Sequence, residues 1–200
     1  MTEELLYLWF GMISRMTHTV KMNVAMKYGG IRGLWNTSEE QLRDELTQAQ
    51  ADGFLEHRDA GKVAAYAEEL RRNDITYIYP GHKLYPGKLY DIPDPPMLLF
   101  AAGDVDVLAD LDPAVAVVGA RKASVYGREA ADRLSGELAA SGVTIVSGMA
   151  LGIDGMAHRA ALNVGGKTFA VLGGGADVCY PAAHKGLYKD LIKRGGILSE

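Results

Sequence analysis

The stretch from Val115 to Asp154, VAVVGARKASVYG…VTIVSGMALGID, constrains this chain more than any other. Val115, Ala116, Val117 and Val118 form a short continuous apolar run, the pattern of a strand buried on both faces. Gly119 ends it. A helix is predicted from about Tyr126 or Gly127, with Ala131, Leu134 and Leu138 along one face. A second buried strand, Val143 to Val146, runs into Ser147-Gly148 and a helix that starts around Asp154. Strand, glycine turn, helix, strand is a parallel crossover unit. Ligands of such sheets bind where strands end and helices begin, because backbone N–H groups and positive helix ends point there. Both turns fall on that edge, so the function is sought there.

What the turns lack narrows what they bind. A dinucleotide fingerprint needs Gly-x-Gly-x-x-Gly after the first strand, whereas Gly119 is followed by Ala120 and Arg121. The position where an acid would hold a ribose carries Ser147. No Gly-Lys-Ser/Thr follows any strand, so a Walker loop is absent as well. A strand ending in Gly-x-Arg offers a guanidinium beside unpaired amides, suited to a phosphate. The competing reading makes Arg121 a surface arginine salt-bridged to a neighbour.

Upstream, the patterning is helical. Leu5, Leu6, Trp9 and Met12 share one face, and Val20, Val24 and Tyr28 another before Gly29-Gly30 stops the helix. Thr37 to Glu40 reads as a capping box with Thr37 as cap. Asp59 to Arg72 is a further helix that turns Val63, Ala67 and Leu70 inward. These elements predict a small helical module over residues 1–73, ahead of an extended Rossmann-like parallel sheet over residues 74–200. Ile75 to Tyr79 alternates like a strand, Tyr85 to Pro96 is a proline-punctuated connection, and Met97 to Ala101 is a second strand.

Beyond the central unit, Asp154 to Asn163 is predicted as a helix with Asp154 as its N-cap and Gly165-Gly166 as its stop. His158 within it reads as structural. Thr168 to Leu172 is a buried strand, and Gly173-Gly174-Gly175 turns onto the ligand edge. The last helix, His184 to Arg194, carries Lys185, Lys189 and Lys193 at a four-residue repeat. Lys185, nearest the ligand edge, is assigned to phosphate contact.

Charge locates the anion-binding surface. The whole chain is −4, but residues 1–111 hold 11 basic and 17 acidic side chains, and residues 112–200 hold 10 and 8. Any polyanion would therefore meet the second part. One cysteine, Cys179, excludes a disulfide framework and a multi-cysteine metal site, and reads as a small buried apolar residue. No run is long enough to span a membrane, and two acids precede the first apolar run, the wrong order for a signal peptide. Cytoplasmic localisation is expected.

Gly119-Ala120-Arg121, Ser124-Val125-Tyr126-Gly127 and Ser147-Gly148-Met149-Ala150-Leu151-Gly152-Ile153-Asp154 together resemble the DNA-processing protein A (Smf) family. Gly166-Lys167-Thr168, Ala170 to Gly173 and Tyr180-Pro181 followed by Leu187 come in the same order and spacing. The resemblance covers Pro80 to Glu200 closely and the earlier part loosely. It implies a cytoplasmic protein of DNA recombination and natural transformation (competence) that binds single-stranded DNA, protects it and hands it to a RecA-type recombinase. It implies no cofactor, metal or catalytic residue. The DNA or phosphate contacts it marks, with those read above, are Gly119, Arg121, Lys122, Ser124, Tyr126, Gly127, Ser147, Gly148, Gly152 and Lys185.

The chain departs from the family pattern in three places. The helical part resembles a sterile-alpha-motif or helix-hairpin-helix domain, but Arg15-Met16-Thr17-His18-Thr19 stands where a Gly-hydrophobic-Gly turn would touch DNA. Ala182 and His184 stand where the family often carries a lysine and an asparagine after Tyr-Pro. The strand–helix units that follow Ile197 to Ser199 in the family, and build its homodimer, would lie beyond Glu200; a chain without them is expected to be monomeric in dilute solution or to associate through another surface such as its open sheet edge. Two other classes remain open: a nucleoside-monophosphate-cleaving enzyme of the related fold, which would need a Pro-Gly-Gly-x-Gly-Thr loop that Gly173 to Ala176 does not supply, and a nucleotide-binding module with no DNA role.

Overall fold

A computed structural model describes residues 1–14, 16–106, 108 and 111–200; Arg15, in the first helical connection, lies outside them. Two compact units are present. One comprises Met1–Arg72, Tyr79–His82 and Gly87–Leu98; the other comprises Asn73–Ile78, Lys83–Pro86 and Leu99–Glu200.

Among the described residues, six α-helices build the first unit: α1 (Glu3–Met12), α2 (His18–Lys27), α3 (Ile31–Asn36), α4 (Glu39–Glu45), α5 (Gln48–Glu56) and α6 (Ala60–Arg72). Their starts are written locally. Thr2, Thr17, Ser38 and Thr47 each accept a backbone N–H three residues on, satisfying donors the first turn cannot. The expected capping box at Thr37 is not formed. Ser38 is the cap, while Thr37 ends α3 and donates its hydroxyl to the Gly33 carbonyl at 2.9 Å. The reciprocal box lies one helix later, at Thr47 and Gln50. Trp9, Phe10 and Phe54 are fully buried at the centre, with Trp35 edge-on to Trp9 at 4.9 Å. Lys21 is buried too. Its ammonium donates to the Ile13 carbonyl at 2.9 Å and the Phe10 carbonyl at 3.4 Å, closing the C-terminus of α1, and burial pushes its pKa down.

The second unit holds a six-stranded sheet: β1 (Ile75–Ile78), β2 (Leu99–Gly103), β3 (Ala114–Ala116), β4 (Thr144–Ser147), β5 (Thr168–Leu172) and β6 (Gly195–Ser199), in the order β1-β2-β6-β5-β4-β3. β1 and β2 run antiparallel to their neighbours, and β3, β4, β5 and β6 are mutually parallel. The three parallel crossovers pass through α7 (Val125–Ala140), α8 (Ile153–Asn163) and α9 (Lys185–Arg194). All three step the same way across the sheet. Because crossovers are right-handed, all three helices must then lie on one face. The packing agrees. Ile145 meets Ala139 of α7 with Ala157 and Ala161 of α8, and Ala170 and Ile197 meet Leu162 of α8 with Leu187 and Leu191 of α9.

The other face is exposed along β3, at Ala114 and Ala116, and at Val171, which is 50% exposed, while Phe169 and Leu198 on the same face are buried. The apolar run from Val115 is thus not a strand buried on both faces. β3 is an edge strand, Val115 is 39% exposed, and Val117 and Val118 lie beyond the ladder. On α7, Ala131 is buried and Leu138 packs on the core, while Leu134 is half exposed. Cys179 is half-buried at the rim of the α9 core.

Candidate functional site

The ends of β3 and β4 are tied together by one carboxylate. α8 starts at Ile153, not Asp154, because Gly152 occupies the cap position with φ +84°. Asp154 therefore sits inside the first turn, 7% exposed, and its carboxylate turns back to the strands. Oδ1 accepts the Gly119 N–H and Oδ2 the Gly148 N–H, each at 3.2 Å. A carboxylate has two oxygens, and here each serves one of the two turns. Gly152 cannot be replaced without strain. Its backbone is left-handed, and a Cβ would run into the carbonyls of Ala120 and Arg121.

The turn after β4 is fixed at further points. Ser147, buried, donates its hydroxyl to the Val117 carbonyl at 2.6 Å. Met149 is held at φ +53°, fully buried, and its carbonyl accepts the Nδ1–H of His184 at 2.9 Å. A non-glycine residue in that region carries strain that only a determined surrounding sustains. His158 on α8 contacts the Thr168 hydroxyl through Nδ1 at 2.7 Å. That hydroxyl goes to the Ile145 carbonyl, so the imidazole is the donor. Burial pushes the His158 pKa down to about 4, with the nearby His184 adding to the effect and Asp154 opposing it. His158 is thus a neutral strut between α8 and β5.

Above these turns opens a pocket of about 220 Å³. Arg121 stands on one side; Gly148, Gly173 and Gly174 bring backbone to the surface; Ala150, Leu151, Leu172, Val178, Tyr180 and Pro181 form apolar walls. Arg121 is exposed and makes no ion pair or side-chain hydrogen bond among the described residues, so the salt-bridged reading of it does not hold.

Of the ten residues singled out in the sequence, Arg121 and Gly148 line this pocket. The Ser147 hydroxyl and the Gly119 and Gly148 amides are spent inside the protein, so an anion cannot use them. Ser124 caps α7 by accepting the Gly127 N–H at 3.1 Å, and Gly152 caps α8. Lys122 and Tyr126 are exposed beside the Arg121 turn, and Lys185 is exposed at the first turn of α9; none of them lines the pocket. Leu151, Val178 and Tyr180 line it without having been marked by the sequence. The glycines at the end of β5 and the Tyr-Pro pair were the signals pointing there.

A mostly parallel sheet with a pocket at its C-terminal strand ends, edged by glycines and by Arg121, defines a Rossmann-like fold. The chain belongs to the DNA recombination-mediator protein A family, whose family model matches residues 76–200. It is 42% identical over 149 residues to Protein Smf of Escherichia coli, covering 70% of this chain and 39% of that protein. Against DNA processing protein DprA of Streptococcus pneumoniae it is 46% identical over 116 residues, covering 58% and 40%. The X-ray structure of the Streptococcus pneumoniae DNA processing protein A superposes with a TM-score of 0.74 at 28% identity, over 100% of this chain and 68% of that one. The Helicobacter pylori protein, solved to describe its single-stranded DNA binding mode, gives a TM-score of 0.55 at 30% identity, over 62% and 54%. The chain spans less than half the length of the curated relatives it matches. Among the described residues, no helix is long and apolar enough to cross a membrane.

Proposed function

We propose that this chain binds single-stranded DNA at the Arg121 pocket and serves, in the cytoplasm, as a non-enzymatic mediator that protects incoming DNA and passes it to a RecA-type recombinase. The observation that carries this reading is the unpaired, exposed Arg121 guanidinium at the rim of a glycine-floored pocket, in a chain of this family. A guanidinium held apart from carboxylates keeps its donors for a phosphate. Lys122 and Tyr126 extend the contact beside Arg121, and Lys185 extends it at α9. The backbone around Gly119, Ser124, Gly127, Ser147, Gly148 and Gly152 shapes the turns and gives the ligand close approach. Binding is favoured over bond cleavage because the pocket side chains besides Arg121 and Tyr180 are apolar, offering no carboxylate or imidazole for proton transfer.

Nothing in the pocket matches a base-edge code, so affinity rests on the backbone and varies little with sequence. Fluorescence anisotropy with labelled oligo-dT and a mixed-sequence strand is the test. With about three phosphates neutralised, log affinity falls against log salt with a slope near −2, from roughly 0.7 per phosphate. Arg121→Ala weakens binding by roughly 1–3 kcal/mol and leaves the melting temperature nearly unchanged. Salt-independent binding, or an Arg121→Ala variant that unfolds, would overturn the reading.

A further inference from the structure

α9 carries a charge distribution that the pocket does not use. Its inner side is Leu187 and Leu191, both fully buried. Its outer side shows Lys185, Lys189 and Lys193 in one stripe, with Arg194 exposed at the end of the helix, against one acid, Asp190. None of the four cations makes an ion pair or a side-chain hydrogen bond among the described residues. This contrasts with the helical unit, where Lys27, Arg43 and Arg71 are each paired to acids at 2.8 Å. Two cations in a last helical turn are an ordinary complement to the helix dipole. Here they also line a cavity. Lys193 and Arg194, with Asn163, Leu162 and Asp190, wall a groove of about 280 Å³ between the C-terminal ends of α8 and α9.

The two cavities lie at opposite edges of the sheet. α9 begins after the loop that supplies Val178, Tyr180 and Pro181 to the Arg121 pocket, and it ends at the second groove. From Lys185 to Lys193 the helix rises about 12 Å, long enough to follow a short run of single-strand backbone. The geometry points to a second polyanion site: a single strand seated at Arg121 continues along the outer face of α9, over Lys185 and Lys189, and places a further backbone phosphate in the groove of Lys193, Arg194 and Asn163. This rests on the reading of the Arg121 pocket as a phosphate site. The cations give charge, and the Asn163 amide adds a neutral donor. An acidic protein segment would suit the same charge, but DNA is favoured because the stripe starts beside the pocket and leads from it.

The test compares the wild type with the exposed-residue variant Lys189→Gln/Lys193→Gln/Arg194→Gln, using oligo-dT of about six and about eighteen nucleotides. Circular dichroism verifies that both are folded. The wild type binds the longer strand about tenfold or more tightly than the shorter. The variant binds the shorter strand like the wild type, loses most of the gain on lengthening, and shows a salt slope smaller by about 2 on the longer strand. In a second measurement, the longer strand protects Lys189 and Lys193 from amine acetylation, read by mass spectrometry, with buried Lys21 as the unreactive reference. If the wild type binds DNA and Arg121→Ala weakens it as expected, but the triple variant keeps the gain and slope and the lysines stay reactive, the α9 track is overturned and the pocket reading stands. An undiminished gain on lengthening in the variant, together with protection of Lys189 and Lys193 of the wild type by a poly-glutamate peptide, assigns the groove to an acidic protein and also overturns the track. No binding of either strand by the wild type removes both readings.

Discussion

Asp154 shows how one side chain can set the geometry of a site it does not enter. Its two oxygens hold the amides of Gly119 and Gly148, so the turn that carries Arg121 keeps a fixed place relative to the turn that carries Gly148. Asp154→Ala leaves both amides without their partner and costs roughly 1–3 kcal/mol of stability. It also weakens oligonucleotide binding although Asp154 does not line the Arg121 pocket. Urea denaturation beside anisotropy checks this; unchanged binding in a folded Asp154→Ala protein would show that the turns hold their places unaided. The residue itself is legible in the sequence, since an aspartate at a helix start is a good cap. Its real role is not legible. It depends on the left-handed Gly152, which moves the helix start, and on Gly119, a partner distant in the chain.

At the scale of elements, the crossover units are legible because each is local: apolar run, glycine turn, amphipathic helix. The helices α7, α8 and α9 and the strands β4, β5 and β6 fall within a few residues of expectation. The exposure of β3 is not legible, because an apolar run reports strand character and not how many neighbours the strand finds. Only strand order decides that, and strand order is non-local. Leu134 of α7 is half exposed on the side its periodicity assigns to the core. The pocket is legible in part: Gly-x-Arg marks Arg121, whereas Leu151, Val178 and Tyr180 come from loops whose path no periodicity describes. The two faces of the sheet predict opposite mutational responses. Ile145→Ala, on the helix-covered face and fully buried, costs about 2–5 kcal/mol. Val171→Thr, at a half-exposed position of the other face, changes stability by less than about 0.5 kcal/mol. Thermal melts of the two variants distinguish this arrangement from one in which Val171 is covered, where both substitutions would be costly.

At the scale of the whole molecule, charge and burial act separately. The acidic excess lies in residues 1–111 and the basic excess in residues 112–200, so a net charge of −4 says little about either surface. Burial of ionisable groups governs how stability depends on pH. His158 has a folded pKa of about 4 against an unfolded value of about 6.5. Between these values the unfolded chain binds the proton that the folded chain refuses, so stability is intact above about pH 6.5 and falls as the pH drops toward 4. The full loss from this group is about 3 kcal/mol. Urea midpoints measured from pH 7 to pH 4.5 should fall, and should fall less in His158→Gln. Equal slopes in both proteins would assign the acid sensitivity to other groups.

The shared carboxylate of Asp154 also couples two positions in time. Gly119 sits at an exposed turn, where a backbone amide ordinarily trades its proton for deuterium quickly. Its hydrogen bond to Oδ1 and that of Gly148 to Oδ2 are released together by any opening that swings the aspartate away. The two amides therefore keep a common exchange clock, slow for so open a loop, and substitutions at Gly152 would quicken both alike.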